Sequence, residues 1–130
     1  MLQIKGSLEK HFKMMDAGPA SWVLGMQVQV DTERGTISID QSQYIRKVLQ
    51  RFGMADCKPV ATPLPEKAIL QAASDDEVEA ARNYPYLQVI GSVMYAMLGT
   101  RPDIAYAVST LSRYASRPGT QHVSALKHLL

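Results

Sequence analysis

The stretch GTRPDIAYAVSTLSRY, residues 99–114, decides the fold because it contains the end of one helix and the start of the next. Gly99 suits a helix end, and Thr100 is a good capping residue for the helix that follows. Pro102 occupies the first helical position, where its missing N–H costs no hydrogen bond, and Asp103 interacts favourably with the helix dipole. The stretch therefore predicts two helices that meet at Thr100. Apolar residues at helical spacing define the buried face of the second helix: Ile104, Val108, Leu111 and Ala115.

Helical spacing continues on both sides of this stretch. The preceding helix has apolar positions at Tyr86, Val89 or Ile90, Val93 and Met97. Gly91 within it is predicted to pack closely against a neighbouring element. Downstream, SRPGT (116–120) ends one helix, and QHVSALKHLL (121–130) begins another that faces inward through Val123, Leu126 and Leu130. Because that last helix has no stop signal, we expect the chain to be a fragment that ends within an element.

Between residues 21 and 40 the apolar period changes from helical to alternating. In SWVLGMQVQV (21–30) the alternating apolar residues are Leu24, Met26, Val28 and Val30. In TISID (36–40), Ile37 and Ile39 share one face, and the polar turn DTERG (31–35) joins the two runs. We therefore expect an antiparallel β-hairpin. Gly25 within the first strand indicates a β-bulge or the close approach of another backbone.

Helices are predicted on both sides of the hairpin. The first covers residues 7–17, begins at Ser7 and carries one apolar stripe made of Leu8, Phe12 and Met15. The second begins after Asp40 or Ser42 as its cap and ends at Gly53, which suits a left-handed C-terminal position. Its apolar stripe contains Ile45, Val48, Leu49 and Phe52. The predicted fold class is α+β: one antiparallel β-hairpin flanked and followed by α-helices.

The outward face of the second helix is basic. It carries Arg46, Lys47, Gln50 and Arg51, and no acidic residue shares that face. Cations without acidic partners at i,i+4 gain nothing from one another. Two interpretations stay open, a face that keeps the protein in solution and a face that meets phosphate groups.

An acidic, proline-rich connector separates the two halves of the chain. Residues 66–82 hold five acidic and two basic side chains, a balance of −3, so the rest of the chain carries +5 of the net charge of +2. A solvated linker and an indication of an anionic partner are both open interpretations. We predict three segments: 1–57 with the hairpin and basic helix, 58–84 as the connector, and 85–130 as a helical part.

No constellation of residues in the sequence indicates catalysis. The histidines, His11, His122 and His128, are too scattered for a metal set and are expected at the surface. Asp75 and Asp76 are adjacent, but they lie in a polar linker without an apolar pocket to shift their pKa values. Four tyrosines are expected to pack in the core: Tyr44, Tyr86, Tyr95 and Tyr106. Cys57 is the single cysteine, which suits a reducing compartment, and no apolar run is long enough to span a membrane.

An ordered set of motifs resembles the reverse transcriptase of copia-type LTR retrotransposons. The motifs are FKMMDAG, WVLGMQV, GTISIDQSQYIRKVLQRFGM, CKPVATPL, YPYLQVIGSVMYAMLGTRPDIAYAVSTLSRY and RPGTQHVSALKHLL. The resemblance covers essentially the whole chain, and GSVMYAMLGTRPDIAYAV is its most specific part. The resemblance implies that the chain contains the end of the palm, a primer-grip hairpin at residues 22–40 and the thumb after residue 41. The family's catalytic Tyr-Val-Asp-Asp hairpin would lie upstream, and its RNase H domain downstream.

The resemblance also implies residues that position a template–primer duplex. Cations that would meet its phosphates are Arg46, Lys47, Arg51, Lys58, Arg101, Arg113 and Arg117. Primer-grip-like residues are Trp22, Gly25, Met26 and Gln27. The chain itself is expected to hold no catalytic residue, metal or cofactor, and Mg²⁺ belongs to the full polymerase.

The function implied is a partial, RNA-directed DNA polymerase that is inactive alone. Its expected partners are an RNA or DNA template–primer and the missing palm and RNase H parts of the same Gag-Pol polyprotein. Its expected location is the cytoplasm, or the nucleus, without membrane attachment. Two alternatives are a non-catalytic nucleic-acid-binding module and an inert remnant that self-associates through Leu24, Val28 and Ile37.

Overall fold

The chain folds into two compact units, Met1–Ile39 and Asp40–Leu130, in a computed structural model that describes residues 2–15, 18–65 and 69–130. Those residues form six α-helices, one short 3₁₀ helix and a three-stranded antiparallel sheet, so the predicted α+β class is confirmed. Within the same residues, no helix is both long and apolar enough to cross a membrane.

The first unit contains helix α1 (Leu2–His11), strands β1 (Trp22–Val23) and β2 (Met26–Asp31), and all but the last residue of β3 (Thr36–Asp40). The helix predicted over 7–17 is shifted, because it starts before Ser7 and ends at His11. Ser7 is therefore an interior residue, and its carbonyl lies 2.9 Å from His11 Nδ1. Residues 16 and 17 of the predicted helix are outside the described residues.

The strand predicted within SWVLGMQVQV (21–30) is divided by a tight turn at Leu24 and Gly25. Leu24 and Gly25 both have positive φ angles, 51° and 75°. Across this turn Val23 pairs with Met26, and Trp22 pairs with Gln27. Gly25 thus allows a two-residue hairpin turn and not the predicted bulge, because turns of this kind need positive φ at both central residues. The sheet order is β1-β2-β3.

The sheet leaves much of its apolar surface exposed. Val30 and all five residues of β3 are exposed, whereas residues 26–28 are half-buried. Leu8 in α1 and Phe12 just after it, both from the predicted stripe, are exposed as well. One helix and three short strands offer too little surface to cover an apolar sheet face.

Helix α2 (Ser42–Arg51) opens the second unit with well-formed ends. Asp40 accepts hydrogen bonds from both the backbone N–H and the hydroxyl of Ser42. At the other end Gly53 has φ of +70°. Its N–H bonds to the Gln50 carbonyl and the next N–H bonds to the Leu49 carbonyl, which is a Schellman motif. The predicted stop at Gly53 is confirmed. The N-cap residue is Gln41, whose side chain makes no capping hydrogen bond, so the cap predicted at Asp40 or Ser42 is wrong by one position.

The core of the second unit lies among its last helices. These are α3 (Asp75–Ala81), α4 (Tyr86–Gly99), the 3₁₀ helix (Pro102–Ile104), α5 (Ala105–Ser112) and α6 (Thr120–Leu129). Fully buried side chains at their centre include Val89, Val108, Leu111 and Leu126. The Tyr86 hydroxyl donates to the Leu111 carbonyl at 3.0 Å, and burial raises the pKa of Tyr86 to about 12.

Three side-chain predictions in this region are wrong. Thr100 does not cap the next helix, because its hydroxyl donates to Gln41 Oε1 at 2.8 Å. A Cβ at Gly91 would meet nothing within 4 Å, so this glycine does not mediate close packing. Tyr106 is 78% exposed and lies outside the core, since it falls on the opposite face of α5 from Val108.

Within the connector, α3 is a short helix whose first turn is acidic. Ser74 and Glu77 form a reciprocal capping box: Ser74 N–H donates to the Glu77 carboxylate, and Glu77 N–H donates to the Ser74 hydroxyl. Helix α3 packs against α6. Glu66 and Lys67, at the start of the acidic stretch, lie outside the described residues.

Candidate nucleic-acid interface

Helix α2 presents a continuous cationic face. Arg46, Lys47 and Arg51 are all exposed, and Val48 on the opposite side is buried. Positions 47 and 51 are one turn apart, so their side chains are neighbours on the helix surface. No ion pair involves these three cations within the described part of the chain, although the Arg51 guanidinium lies 5.4 Å from the centre of the Phe52 ring. Their charge is therefore available to an anionic ligand.

The basic helix is held firmly on the rest of the second unit. Gln41, at its N-terminus, is 2% exposed and donates from Nε2 to the Tyr95 carbonyl at 3.4 Å. The Tyr44 hydroxyl donates to the Ser92 carbonyl at 3.0 Å, and the rings of Tyr44 and Tyr95 meet edge to face. These contacts join the first turn of α2 to α4, so the cations project from a rigid support.

Arg101 is already paired. Its guanidinium makes a two-point contact with Asp103, with Nη2 at 2.8 Å and Nε at 2.9 Å from the carboxylate oxygens. The hydrogen bond from Arg101 lowers the pKa of Asp103, and the same bond raises the pKa of Arg101. Asp103 was predicted only as a helix-end acid, and the structure shows that it also neutralises a predicted phosphate-binding residue.

Arg101 and Lys58 line one cavity of about 360 Å³. Lys127 and His128, in the last turn of α6, line it as well. Neither residue was predicted to contact a nucleic acid, although adjacent basic residues at the end of an amphipathic helix were a usable signal. His128 Nε2 lies 2.9 Å from the Thr62 carbonyl, and Lys127 Nζ lies 5.3 Å from the Tyr84 ring centre.

The two remaining predicted cations follow α5. Arg117 forms an ion pair with Asp75 at the start of α3, so its charge is partly neutralised. The Arg113 guanidinium lies 6.0 Å from the centre of the Tyr114 ring and is exposed. The seven predicted cations thus fall into three groups: a free face on α2, a cavity edge, and a pair of positions after α5.

The four primer-grip-like residues cluster around the tight turn of the first unit. Trp22 and Gln27 are cross-strand partners, Gly25 lies in the turn and Met26 begins β2. Trp22 is 47% exposed, and Met26 and Gln27 are half-buried. The structure therefore brings together residues that the resemblance implied, on an exposed hairpin end.

His122 is a buried structural residue, contrary to the predicted surface position. Its side chain is 0% exposed and stacks on the Tyr114 ring with centres 4.0 Å apart. Nδ1 accepts the Gly119 N–H at 2.9 Å, whereas Nε2 has no hydrogen-bond partner among the described residues. Burial lowers the pKa of His122. The local sequence pattern did not indicate this burial, because it depends on the Tyr114 ring.

The His, Cys, Asp and Glu side chains of the described residues do not form a metal site, because no group of three or more of them is placed to hold a metal ion. Cys57 is exposed and unpaired with another cysteine. The candidate site therefore consists of the cationic helix α2 on a rigid support and an exposed hairpin.

Comparison with known proteins identifies the family of this chain. The profile of the family described as reverse transcriptase (RNA-dependent DNA polymerase) matches residues 1–66. The Retrovirus-related Pol polyprotein from transposon TNT 1-94 of Nicotiana tabacum is 40% identical, over 98% of this chain and 10% of its own length. An uncharacterized mitochondrial protein of Arabidopsis thaliana is 34% identical, over 95% of this chain and 49% of its own length.

A further relative is the Retrovirus-related Pol polyprotein from transposon RE1 of Arabidopsis thaliana, 32% identical over 95% of this chain and 8% of its own length. No solved structure matches the chain. The chain belongs to the reverse transcriptase family, and its resemblance to the copia-type retrotransposon enzymes is confirmed. It spans about a tenth of the Pol polyproteins and about half of the mitochondrial protein.

Proposed function

We propose that this part of a retrotransposon reverse transcriptase positions a template–primer duplex through the basic face of α2. The supporting observation is the exposure of Arg46, Lys47 and Arg51 on one rigidly held helix that contains no acidic residue. A nucleic-acid duplex carries a regular row of phosphates, and a row of cations on a helix can bind several at once. Contacts of this kind fix position and orientation without selecting sequence.

The remaining predicted residues have secondary parts in this proposal. Trp22, Gly25, Met26 and Gln27 would form a primer-grip-like surface, where the glycine permits close approach of a nucleic-acid backbone. Lys58 and Arg113 would add phosphate contacts. Arg101 and Arg117 would contribute less, because each must weaken an existing ion pair before it binds a phosphate.

Polymerisation would require groups from elsewhere in the polyprotein. We propose that the palm carboxylates and their Mg²⁺ ions lie outside these residues and that the palm and RNase H parts are the partners of this segment. The chain alone should then give no product in a primer-extension assay with Mg²⁺. Any template-dependent extension by the isolated chain would contradict the proposal that the palm carboxylates lie outside these residues.

The duplex-binding proposal is tested by the salt dependence of binding. A fluorescently labelled RNA–DNA hybrid is titrated with the chain at several salt concentrations, and anisotropy gives the affinity. Replacement of Arg46, Lys47 and Arg51 by Gln should reduce the slope of log affinity against log salt by about 3, roughly one unit for each lost phosphate contact.

A matched triple variant controls for net charge. Lys10, Arg34 and Arg82 are exposed cations outside the proposed face, and Arg34 and Arg82 are paired with Asp31 and Glu79. Their replacement by Gln removes the same three charges and should change the slope much less. Equal loss in the two triple variants would show that general charge, and not the α2 face, attracts the duplex.

A further inference from the structure

Strand β3 is an open edge of the sheet. It is the last strand in the order β1-β2-β3, so no strand of the described chain lies on its outer side. All five of its residues are exposed, with Ile37 at 70% and Ile39 at 57%. An edge strand presents unpaired backbone N–H and C=O groups, which are a template for pairing with another chain.

The two edge strands of this sheet differ in how well they are protected against pairing with another chain. The opposite edge, β1, is only two residues long. β3 is five residues long and contains no Lys, Pro or Gly, the residues that commonly prevent edge pairing. Its one charged residue, Asp40, lies at its end and accepts hydrogen bonds from Ser42. β3 is therefore the edge that is able to pair.

The sequence of β3 is compatible with itself in the antiparallel direction. When two copies of Thr36–Asp40 pair about a two-fold axis at Ser38, Ile37 of one copy faces Ile39 of the other. Thr36 then faces Asp40, which places a hydroxyl donor opposite a carboxylate acceptor, and no like charges oppose one another. Cross-strand pairs of β-branched residues stabilise such a ladder.

We propose that β3 pairs with β3 of a second copy of this chain, joining two three-stranded sheets into one six-stranded sheet. The exposed isoleucines would then cover each other, and the open backbone groups would form the new ladder. Two five-residue strands give an interface at the small end of the known range, below about 1,200 Å². The dimer is therefore weak, reversible and dependent on protein concentration.

Sedimentation equilibrium of the whole 130-residue chain tests this, from low to high micromolar concentration. Ser38→Lys places two lysines opposite each other at the two-fold axis and should raise the dimer dissociation constant about fivefold or more. Ser124→Lys is the matched control, because Ser124 is exposed on α6 and the change in charge is the same. It should leave association unchanged.

A mixture of variants tests the register itself. Ser38→Lys and Ser38→Glu should each associate poorly, whereas an equal mixture should form mixed dimers in which opposite charges meet. Circular dichroism of each variant confirms that the fold is retained. A wild-type chain that stays monomeric, a Ser38→Lys variant that associates like Ser124→Lys, or a mixture without recovery would each overturn the proposal.

Discussion

The side chain of Gln41 fills the space that a side chain at position 99 would need. A Cβ on Gly99 would lie 2.6 Å from Gln41 Cδ. Gln41 cannot move aside freely, because it is buried and hydrogen-bonded to Tyr95 and Thr100. The glycine at the end of α4 thus makes room for the residue that anchors the start of α2.

Replacing Gly99 by Ala should lower the free energy of unfolding by about 1–3 kcal/mol, the usual cost of overpacking. The matched control is Gly91→Ala in the same helix, where the new methyl group meets open space. That variant should raise the free energy of unfolding by about 0.5–1 kcal/mol through better helix propensity. Urea unfolding measures both, and a similar response of the two variants would show that Gln41 does not constrain position 99.

The stability of the second unit should fall when the pH falls below about 6.5, the ordinary pKa of histidine. Burial lowers the pKa of His122 in the folded state, so the unfolded chain binds more protons in this range. Protonation would also remove the Nδ1 acceptor that holds the Gly119 N–H. The stabilisation is therefore complete at a pH above the pKa of His122 in the unfolded chain. It is lost as the pH falls toward the lower pKa of His122 in the folded chain.

Urea unfolding at a series of pH values measures this dependence. His122→Phe keeps a ring against Tyr114 but cannot titrate, so its stability should be lower overall and nearly flat from pH 7.5 to about 5.5. His11→Gln changes an exposed histidine and should keep the wild-type slope. An unchanged slope in His122→Phe would assign the effect to other groups.

The turn between β1 and β2 should tolerate asparagine better than leucine at its first position. Leu24 has a φ of 51°, a conformation that costs a leucine roughly 1–2 kcal/mol and an asparagine less. Leu24→Asn should therefore slow amide hydrogen exchange at Val28, whose N–H bonds to the Ser21 carbonyl. Gly25→Ala should accelerate it, because alanine resists the positive φ there. Slower exchange in both variants would argue against this turn geometry.

Paired and free arginines should differ in their effect on duplex binding. Arg46 is exposed and has no ion-pair partner in the described residues, whereas Arg117 is paired with Asp75. Arg46→Ala should reduce affinity for a nucleic-acid duplex more than Arg117→Ala does, because Arg117 must first give up its carboxylate. Filter binding at one fixed salt concentration compares them. If Asp75→Asn increases affinity only when Arg117 is present, the ion pair is the cause.

The longer helices were predictable because their apolar period continues over several turns. The stripe of α2 and the inward residues of α5 followed from spacing alone, and the end of α2 followed from the glycine at position 53. The turn at Leu24 was not predictable in this way, because leucine rarely adopts positive φ and the alternation of apolar residues runs through it. At Gly91 a feature was predicted that is not there, because a glycine within a helix need not pack closely against a neighbour.

The candidate site was predictable in part. The basic face of α2 follows from its sequence, since the helix holds all of its cations on one side. Pairing of Arg117 with Asp75 joins positions 42 residues apart, and burial of His122 depends on Tyr114, which lies in the turn after α5. Such tertiary neighbours leave no mark in local spacing.

The division at residue 40 also separates the chain's ultraviolet chromophores. Its single tryptophan, Trp22, belongs to the first unit, and every one of its six tyrosines belongs to the second. Tryptophan fluorescence therefore reports on the first unit, and tyrosine absorbance reports on the second. Measured together during thermal unfolding, the two signals show whether the two units unfold in one cooperative transition or one after the other.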